Sequence, residues 1–323
     1  MRPDIKSFND HILFLKGEIE KNIHRLPLNE KPEYLYDPIR YVLKGKGKRL
    51  RPILVHLSGQ AFKADPENLM KGALAVELMH NFTLVHDDIM DQDHIRHGQP
   101  AVHKKWDNSA AILAGDGLFV LAQLLLSTLK PRIQTRFNEV TLTICEGQGM
   151  DKNFENKSHI QLEKYLEMIS KKTGSLLGFC AELGGLLAGQ NNSVLTTLNS
   201  YGISLGLAFQ VQDDILEIYG EVENMGKSLG SDISAGKQTV LTIIAEKNDP
   251  ENWKNVKLTG HKMEGENRIK YFRDYFSNHH IRSQAEKMVN NYINEAHEFL
   301  RIFPENNREN LQKFTDLILN RTF

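Results

Sequence analysis

Apolar residues recur with helical period along almost the whole chain, and no other feature constrains the fold as tightly. Ile5, Phe8, Ile12, Leu15, Ile19 and Ile23 are spaced by 3, 4, 3, 4 and 4 residues, which puts them on one face of an amphipathic helix. Asp65-Pro66 has the form of an N-cap followed by proline at the first helical position. The apolar pattern beyond it runs to about Met90 with no breaker after Gly72. Asn108 to Leu129, Gln134 to Met150, Gln161 to Ala188 and Ser193 to Tyr219 predict further long helices, followed by roughly Asn267 to Phe303 and Asn310 to Leu319. There is no sustained period-2 run of β-branched residues and no Asn-Gly hairpin signal. Three segments rich in glycine and charge, Lys44 to Arg51, Asp93 to Trp106 and Gly220 to Gln238, read as loops at helix ends. The expectation is an all-α fold, one domain over residues 1–323, built as a bundle of about ten or more helices.

Composition narrows the function classes. The 40 Lys+Arg nearly balance 41 Asp+Glu, which excludes a globally basic nucleic-acid binder and a polyacidic tail. Cys145 and Cys180 are too few for a disulfide framework or a cysteine-rich zinc site, and both are expected to be small buried apolar residues in a reducing compartment. The N-terminal MRPDIKSFNDH lacks the apolar core of a signal peptide. Gly117 to Leu129 carries Gln123 and is shorter than the ~20 residues of a membrane span. A soluble cytoplasmic protein without stable membrane insertion is expected.

Two acidic clusters end long apolar segments. In LVHDDIMD, Asp87 and Asp91 are i and i+4 and share a helix face, where two carboxylates repel unless a cation sits between them. An all-oxygen donor set with surplus negative charge favours Mg²⁺ over zinc. His80 lies seven residues before Asp87, on nearly the same line. In FQVQDDILE, Asp213 and Glu217 repeat the i, i+4 pair, and Gln210 precedes Asp213 by about a turn. A single such cluster is a weak signal, since a solvated acidic face looks the same. Two of them suit divalent ions bridged by a polyanion such as a diphosphate.

Such a site also needs cations. GKGKRLRP at 45–52 packs four positive charges around two flexible glycines, Arg96-His97-Gly98 follows the first cluster, and Lys227 and Lys237 flank Asp232 after the second. Lys171-Lys172-Thr173-Gly174 interrupts an apolar segment. A buried lysine without a partner is costly, so Lys172 is expected to face an anion.

Together these residues resemble the trans-isoprenyl diphosphate synthases, the polyprenyl synthetases. The resemblance runs from about Gly45 to Thr239 through GKGKRLRP at 45–52, HDDIMDQDHIRHGQP at 86–100, KTG at 172–174, FQVQDDILE at 209–217 and GKSLGSDISAGKQT at 226–239. It implies an all-α fold around a central apolar cavity, a homodimer, and three Mg²⁺ ions per active site. It implies isopentenyl diphosphate and an allylic diphosphate as substrates, with no nucleic acid partner. Carried over residue by residue, Asp87 and Asp91 hold two ions on the allylic diphosphate and Asp213 the third, with Asp88, Asp214 and Glu217 supporting. Lys48, Arg51 and His80 match positions that bind isopentenyl diphosphate. Arg96, Lys172, Thr173, Gln210, Lys227 and Lys237 match positions near the allylic diphosphate. Two departures stand out: His97 replaces the usual second arginine, which puts one isopentenyl diphosphate contact in doubt, and Glu217 replaces the usual aspartate.

Product length depends on side chains one to two turns before Asp87, namely Met79, Phe82 and Thr83. An ideal helical wheel puts Thr83 on the stripe of Asp87 and Phe82 off it. By resemblance, however, the fifth residue before the first aspartate is the gate, and here it is the bulky Phe82. With small Thr83 beside it and only two residues between the Asp pair and Asp91, the chain resembles a short-chain geranylgeranyl (C20) synthase more than a long-chain quinone-tail enzyme. Farnesyl (C15) is next, because one aromatic from a neighbouring helix would close the cavity.

Two other readings remain. His86-Asp87 supplies the dipeptide of an HD-type metal phosphohydrolase, although His86 is about 100° from Asp87 on the wheel and the other motifs go unexplained. A catalytically inactive regulatory subunit of a heteromeric prenyl synthase would be expected to lack acidic residues that this chain retains.

Overall fold

A computed structural model describes residues 7–155, 157, 159–220, 233 and 236–320. The described residues are helical throughout, apart from loops and one hairpin of two-residue strands. They divide into two compact units.

The first unit comprises the described parts of Met1–Glu139, Phe179–Asn199 and Leu300–Phe323. Its opening helices are α1 (Phe8–Ile23), α2 (Glu33–Leu43), α3 (Leu50–Ala61) and α4 (Pro66–Met90). After the hairpin β1 (Ile95–Arg96) and β2 (Gln99–Pro100) come α5 (Val102–Lys105) and α6 (Asn108–Leu126). The expected stripe on α1 is buried at Ile12, Leu15, Ile19 and Ile23. α4 starts as its sequence predicts: the Asp65 carboxylate accepts from Asn68 N–H at 3.0 Å, and Pro66 opens the helix. From Gly72 to Met79 every residue of α4 is buried, so it is the central helix of this unit. α6 packs along it.

The second unit comprises Val140–Gly178 and the described parts of Ser200–Phe299. α7 (Pro131–Phe154), α9 (Ser175–Leu187), α10 (Asn192–Tyr219) and α14 (Ile281–Leu300) contribute residues to it. α8 (Leu162–Ile169), α11 (Val240–Asn248), α12 (Pro250–Gly260) and α13 (Gly265–Asn278) lie wholly within it. Trp253, Phe272, Tyr275 and Phe276 form its aromatic cluster. The last helix, α15 (Glu305–Asn320), belongs to the first unit.

Several sequence expectations need correction. The helix expected over Gln161 to Ala188 is divided by a π-helical turn at Ser170–Gly174. The helix expected over Asn267 to Phe303 breaks at His279-His280, where His280 takes a left-handed φ of 56°. Helices α2, α3, α11 and α12 carried no recognised signal. The Asp93 to Trp106 loop holds both the hairpin and α5. Its turn is His97-Gly98, with φ of 51° and 75°, the paired left-handed geometry that a two-residue hairpin turn requires. Cys180 is buried as expected, whereas Cys145 is exposed on α7.

Candidate active site

The end of α4 presents the first acidic cluster. Asp87 sits on the last turn and Asp91 is the C-cap, its N–H donating to the Asp87 carbonyl at 2.8 Å, so the pair occupies one turn as the spacing predicts. Asp88, between them, is 3% exposed. It accepts from Arg96 Nε at 2.8 Å and from Arg96 Nη2, and the same guanidinium reaches Asp93 at 2.9 Å. Arg96 thus fastens the hairpin to the end of α4.

One turn into α4 from the cluster stands Thr83, whose hydroxyl donates to the His80 carbonyl at 2.8 Å. Phe82 faces α6. Its ring lies 5.4 Å from Phe119 and 4.9 Å, edge to face, from His86. Phe119 continues to Phe137 and Phe137 to Phe179, at 6.1 and 6.0 Å. The neighbouring-helix aromatic that would favour a shorter product is therefore present.

Further back, Arg51 Nη1 donates to His80 Nε2 at 3.1 Å. Burial, reinforced by the positive charge of Arg51, holds the His80 imidazole well below its usual pKa. A neutral ring with Nε2 accepting orients Arg51 while leaving the arginine as the charge. His97 stands near Gly45, with its pKa lowered by partial burial and then by Arg96 and Arg49. Lys48 lies in the loop before α3.

Sequence reasoning missed the group that holds this loop. Arg49 is 7% exposed, in a left-handed conformation, and ion-paired to the buried Glu77 of α4; its other amino group donates to the Gly45 carbonyl at 2.7 Å. Asn81 donates to Glu77 as well, at 3.2 Å. One signal was available: Glu77 is a lone acid in the most apolar part of α4. An uncompensated carboxylate there would be costly, so a basic partner was required.

The second unit presents the other cluster. Asp213 is half-buried on α10, whereas Asp214 is 5% exposed and inward-facing. Asp214 accepts from Tyr165 Oη at 2.5 Å, from Val240 N–H at 2.8 Å and from Gln210 Nε2 at 3.2 Å. Gln210 Oε1 in turn accepts from Thr173 Oγ1 at 3.1 Å. Gln210, Thr173 and Asp214 are thus brought together, with Tyr165 as a partner that nothing in its sequence context marked. Lys172 sits on the π turn and pairs with Asp151 of α7 at 2.6 Å, and Lys171 pairs with Glu146 at 2.9 Å. The anion beside Lys172 in this structure is thus a carboxylate of the chain itself. Glu217 is buried and Lys237 half-buried, while Lys227 and Asp232 lie outside the described residues.

The donor set fits Mg²⁺. Among the described residues no three His, Cys, Asp or Glu side chains form a ready cage. A hard ion that keeps its waters and takes one or two carboxylates plus substrate phosphates needs only the Asp87–Asp91 pattern. His86, the metal ligand of the phosphohydrolase reading, instead places Nε2 3.2 Å from the Ile112 carbonyl of α6.

Comparison with known proteins agrees. The polyprenyl synthetase family matches residues 32–276. The chain is 37% identical over 310 residues to a geranylgeranyl pyrophosphate synthase from Geoglobus acetivorans, covering 94% of this chain and 96% of that protein. It is 34% identical over 322 residues to a geranylfarnesyl diphosphate synthase from Natronomonas pharaonis, covering 93% of each. The crystal structure of a geranylgeranyl pyrophosphate synthetase from Pyrococcus horikoshii superposes with a TM-score of 0.89 at 34% identity, covering 97% of this chain and 99% of that one. Neither the phosphohydrolase nor the inactive-subunit reading gains support from any of these. With its acidic turn, its cationic neighbours and its near full-length matches, the chain belongs to the polyprenyl synthetase family, the trans-isoprenyl diphosphate synthases that its motifs resemble.

Proposed function

We propose that the protein condenses isopentenyl diphosphate with an allylic diphosphate, lengthening a trans-prenyl chain to C20 as its main product. The observation that carries this reading is the C-terminal half of α4, which carries His80 bonded to Arg51 of α3, Phe82 packed against Phe119 of α6, and the carboxylates Asp87 and Asp91 on its last turn and C-cap. The reading assigns Asp87 and Asp91 to two Mg²⁺ ions on the allylic diphosphate and Asp213 to a third. Bound Mg²⁺ supplies positive charge to the departing pyrophosphate. Lys172, Thr173, Gln210, Arg96, Lys227 and Lys237 orient the allylic diphosphate and share its developing charge as the C–O bond ionises. Lys48, Arg51, His80 and His97 hold the isopentenyl diphosphate so that its double bond attacks the allylic cation, after which the new cation loses a proton to the released pyrophosphate. No side-chain nucleophile takes part.

C15 is the second reading, because Phe119 of the neighbouring α6 packs against Phe82. Incubation with isopentenyl diphosphate, Mg²⁺ and C5, C10 or C15 primers separates the two, with product length read by chromatography. A C20 product from the C15 primer supports the first reading, an accumulating C15 product the second, and C30 or longer chains contradict both.

The working enzyme is a cytoplasmic homodimer in this reading. Among the described residues α6 is the one helix long and apolar enough to cross a membrane. Its Ala110, Ala114, Leu118 and Ala122 are buried within the chain, while Ile112, Leu113, Val120 and Leu124 are exposed at 44–59%. A second copy would cover that face. Light scattering should report a dimer for the wild type and a monomer for Val120→Glu/Leu124→Glu; a monomeric wild type contradicts it.

A further inference from the structure

Phe82 cannot gate product length unless its ring is held, and the residue that holds it is His86, a group that plays no part in the proposed chemistry. The two are i and i+4 on α4, and their rings meet edge to face at 4.9 Å. The imidazole is itself anchored to α6. Its Nε2 lies 3.2 Å from the Ile112 carbonyl, so that nitrogen carries the proton and donates, and it lies 3.9 Å from Asp116 Oδ1. Beneath the ring is Gly115, where any Cβ would overlap the imidazole. Ile112, Gly115, Asp116 and Phe119 follow the i, i+3, i+4, i+7 spacing of one helix face. On that face Phe119 also meets Phe82, at 5.4 Å. The Phe82 ring therefore touches both an imidazole and a phenyl group, and the imidazole is fixed by a hydrogen bond and a glycine seat.

We propose that His86, seated on Gly115, is a positioning residue for product length, keeping the Phe82 ring across the path of the growing chain. This deepens the proposed function and rests on it. A hydrocarbon tail pressing on an unsupported phenylalanine would turn it to another χ1 rotamer, and the chain would then extend by a further C5 unit. The hydrogen bond alone does not brace Phe82; the ring plane does.

Four variants test this, each run with the C15 primer and checked for folding by circular dichroism. His86→Gln keeps a donor for the Ile112 carbonyl but loses the ring, and should shift the main product at least one C5 unit longer. His86→Phe keeps a ring without the donor and should retain the wild-type distribution. Gly115→Ser puts a Cβ where the imidazole now sits, displaces it from α6, and should lengthen products as His86→Gln does. Phe82→Ala/His86→Gln should give the same distribution as Phe82→Ala alone, because the brace has nothing left to support. If Phe82→Ala lengthens products while His86→Gln and Gly115→Ser do not, the brace is overturned and the gate stands. If Phe82→Ala changes nothing, gate and brace fall together. A wild type that makes no prenyl product overturns the proposed function itself.

Discussion

Asp88 and Asp214 are the second aspartates of the two acidic clusters, and both are buried and fully engaged with the protein, Asp88 by Arg96 and Asp214 by Tyr165, Val240 and Gln210. The adjacent Asp87 and Asp213 are half-buried and so reach the surface. The i, i+4 spacing made Asp87 and Asp91 legible as a pair because helical geometry alone puts them together. That Asp88 and Asp214 serve as scaffold was not legible, since it depends on partners distant in sequence. If the Asp87 carboxylate holds Mg²⁺ against the departing pyrophosphate, Asp87→Ala should lower kcat by ~10²-fold or more and alter KM for isopentenyl diphosphate far less. Steady-state kinetics showing near-normal turnover would exclude that role. His97 gives a second expectation. Its free-state pKa is lowered, and a diphosphate beside it would raise it, so binding takes up a proton and weakens as pH rises above the lowered value. KM for isopentenyl diphosphate should therefore climb as pH rises from the lowered value through neutrality, and His97→Arg should flatten that climb and lower KM. An unchanged profile would mean that His97 does not touch the substrate.

At the scale of elements, end signals account for only part of what was legible: α12 carries at Asp249-Pro250 the same aspartate cap and proline as α4, and α11 carries the Thr239 cap, yet neither was recognised. α4 begins with the Asp65 N-cap that its sequence predicts, and α6 begins at Asn108 as expected, although its cap, Asp107, was not recognised. α2 starts after Pro32 and α3 after a left-handed Arg49, neither with a side-chain cap, and neither was recognised. The start of α3 is held instead by the Arg49–Glu77 pair, a contact over 28 residues of sequence that no local pattern reveals. The π turn at Ser170–Gly174 has the same origin. There α7 passes so close that a Cβ on Gly147 would overlap the Lys172 backbone. Such turns cluster at functional sites, and this one carries Lys172 and Thr173. The Asp214 hub joins α8, α10 and the first turn of α11. Tyr165→Phe removes one of its donors and should cost ~1–3 kcal/mol in chemical denaturation, with KM for the allylic diphosphate rising through Gln210 and Thr173. A loss under ~0.5 kcal/mol with unchanged KM would show that Asp214 does not depend on it.

For the whole molecule, the periodicity conveyed the all-α class but neither the division into two compact units nor the exact breaks, because tertiary packing decides those. Stability should depend on acidity through His56. It is 5% exposed on α3, and burial, with His11 of α1 nearby, pushes its pKa down to about 4 from 6.5. The unfolded chain then binds more protons than the folded one between those values, so stability is complete above about pH 6.5 and falls as pH drops toward 4. The full loss from this group is about 3 kcal/mol, and His56→Phe should remove that part of the pH dependence in denaturant titrations. A wild type whose stability is flat over this range would contradict the neutral buried imidazole. The central claim is that ionisation of the allylic diphosphate is coupled to carbon–carbon bond formation. The most direct test is the stoichiometry of pyrophosphate released against isopentenyl diphosphate consumed, with Mg²⁺ and a C15 primer. One pyrophosphate should be released per C5 unit added, and none when EDTA is added or isopentenyl diphosphate is omitted. Sustained phosphate or pyrophosphate release from the allylic diphosphate alone, or no release with both substrates and Mg²⁺ present, would contradict it.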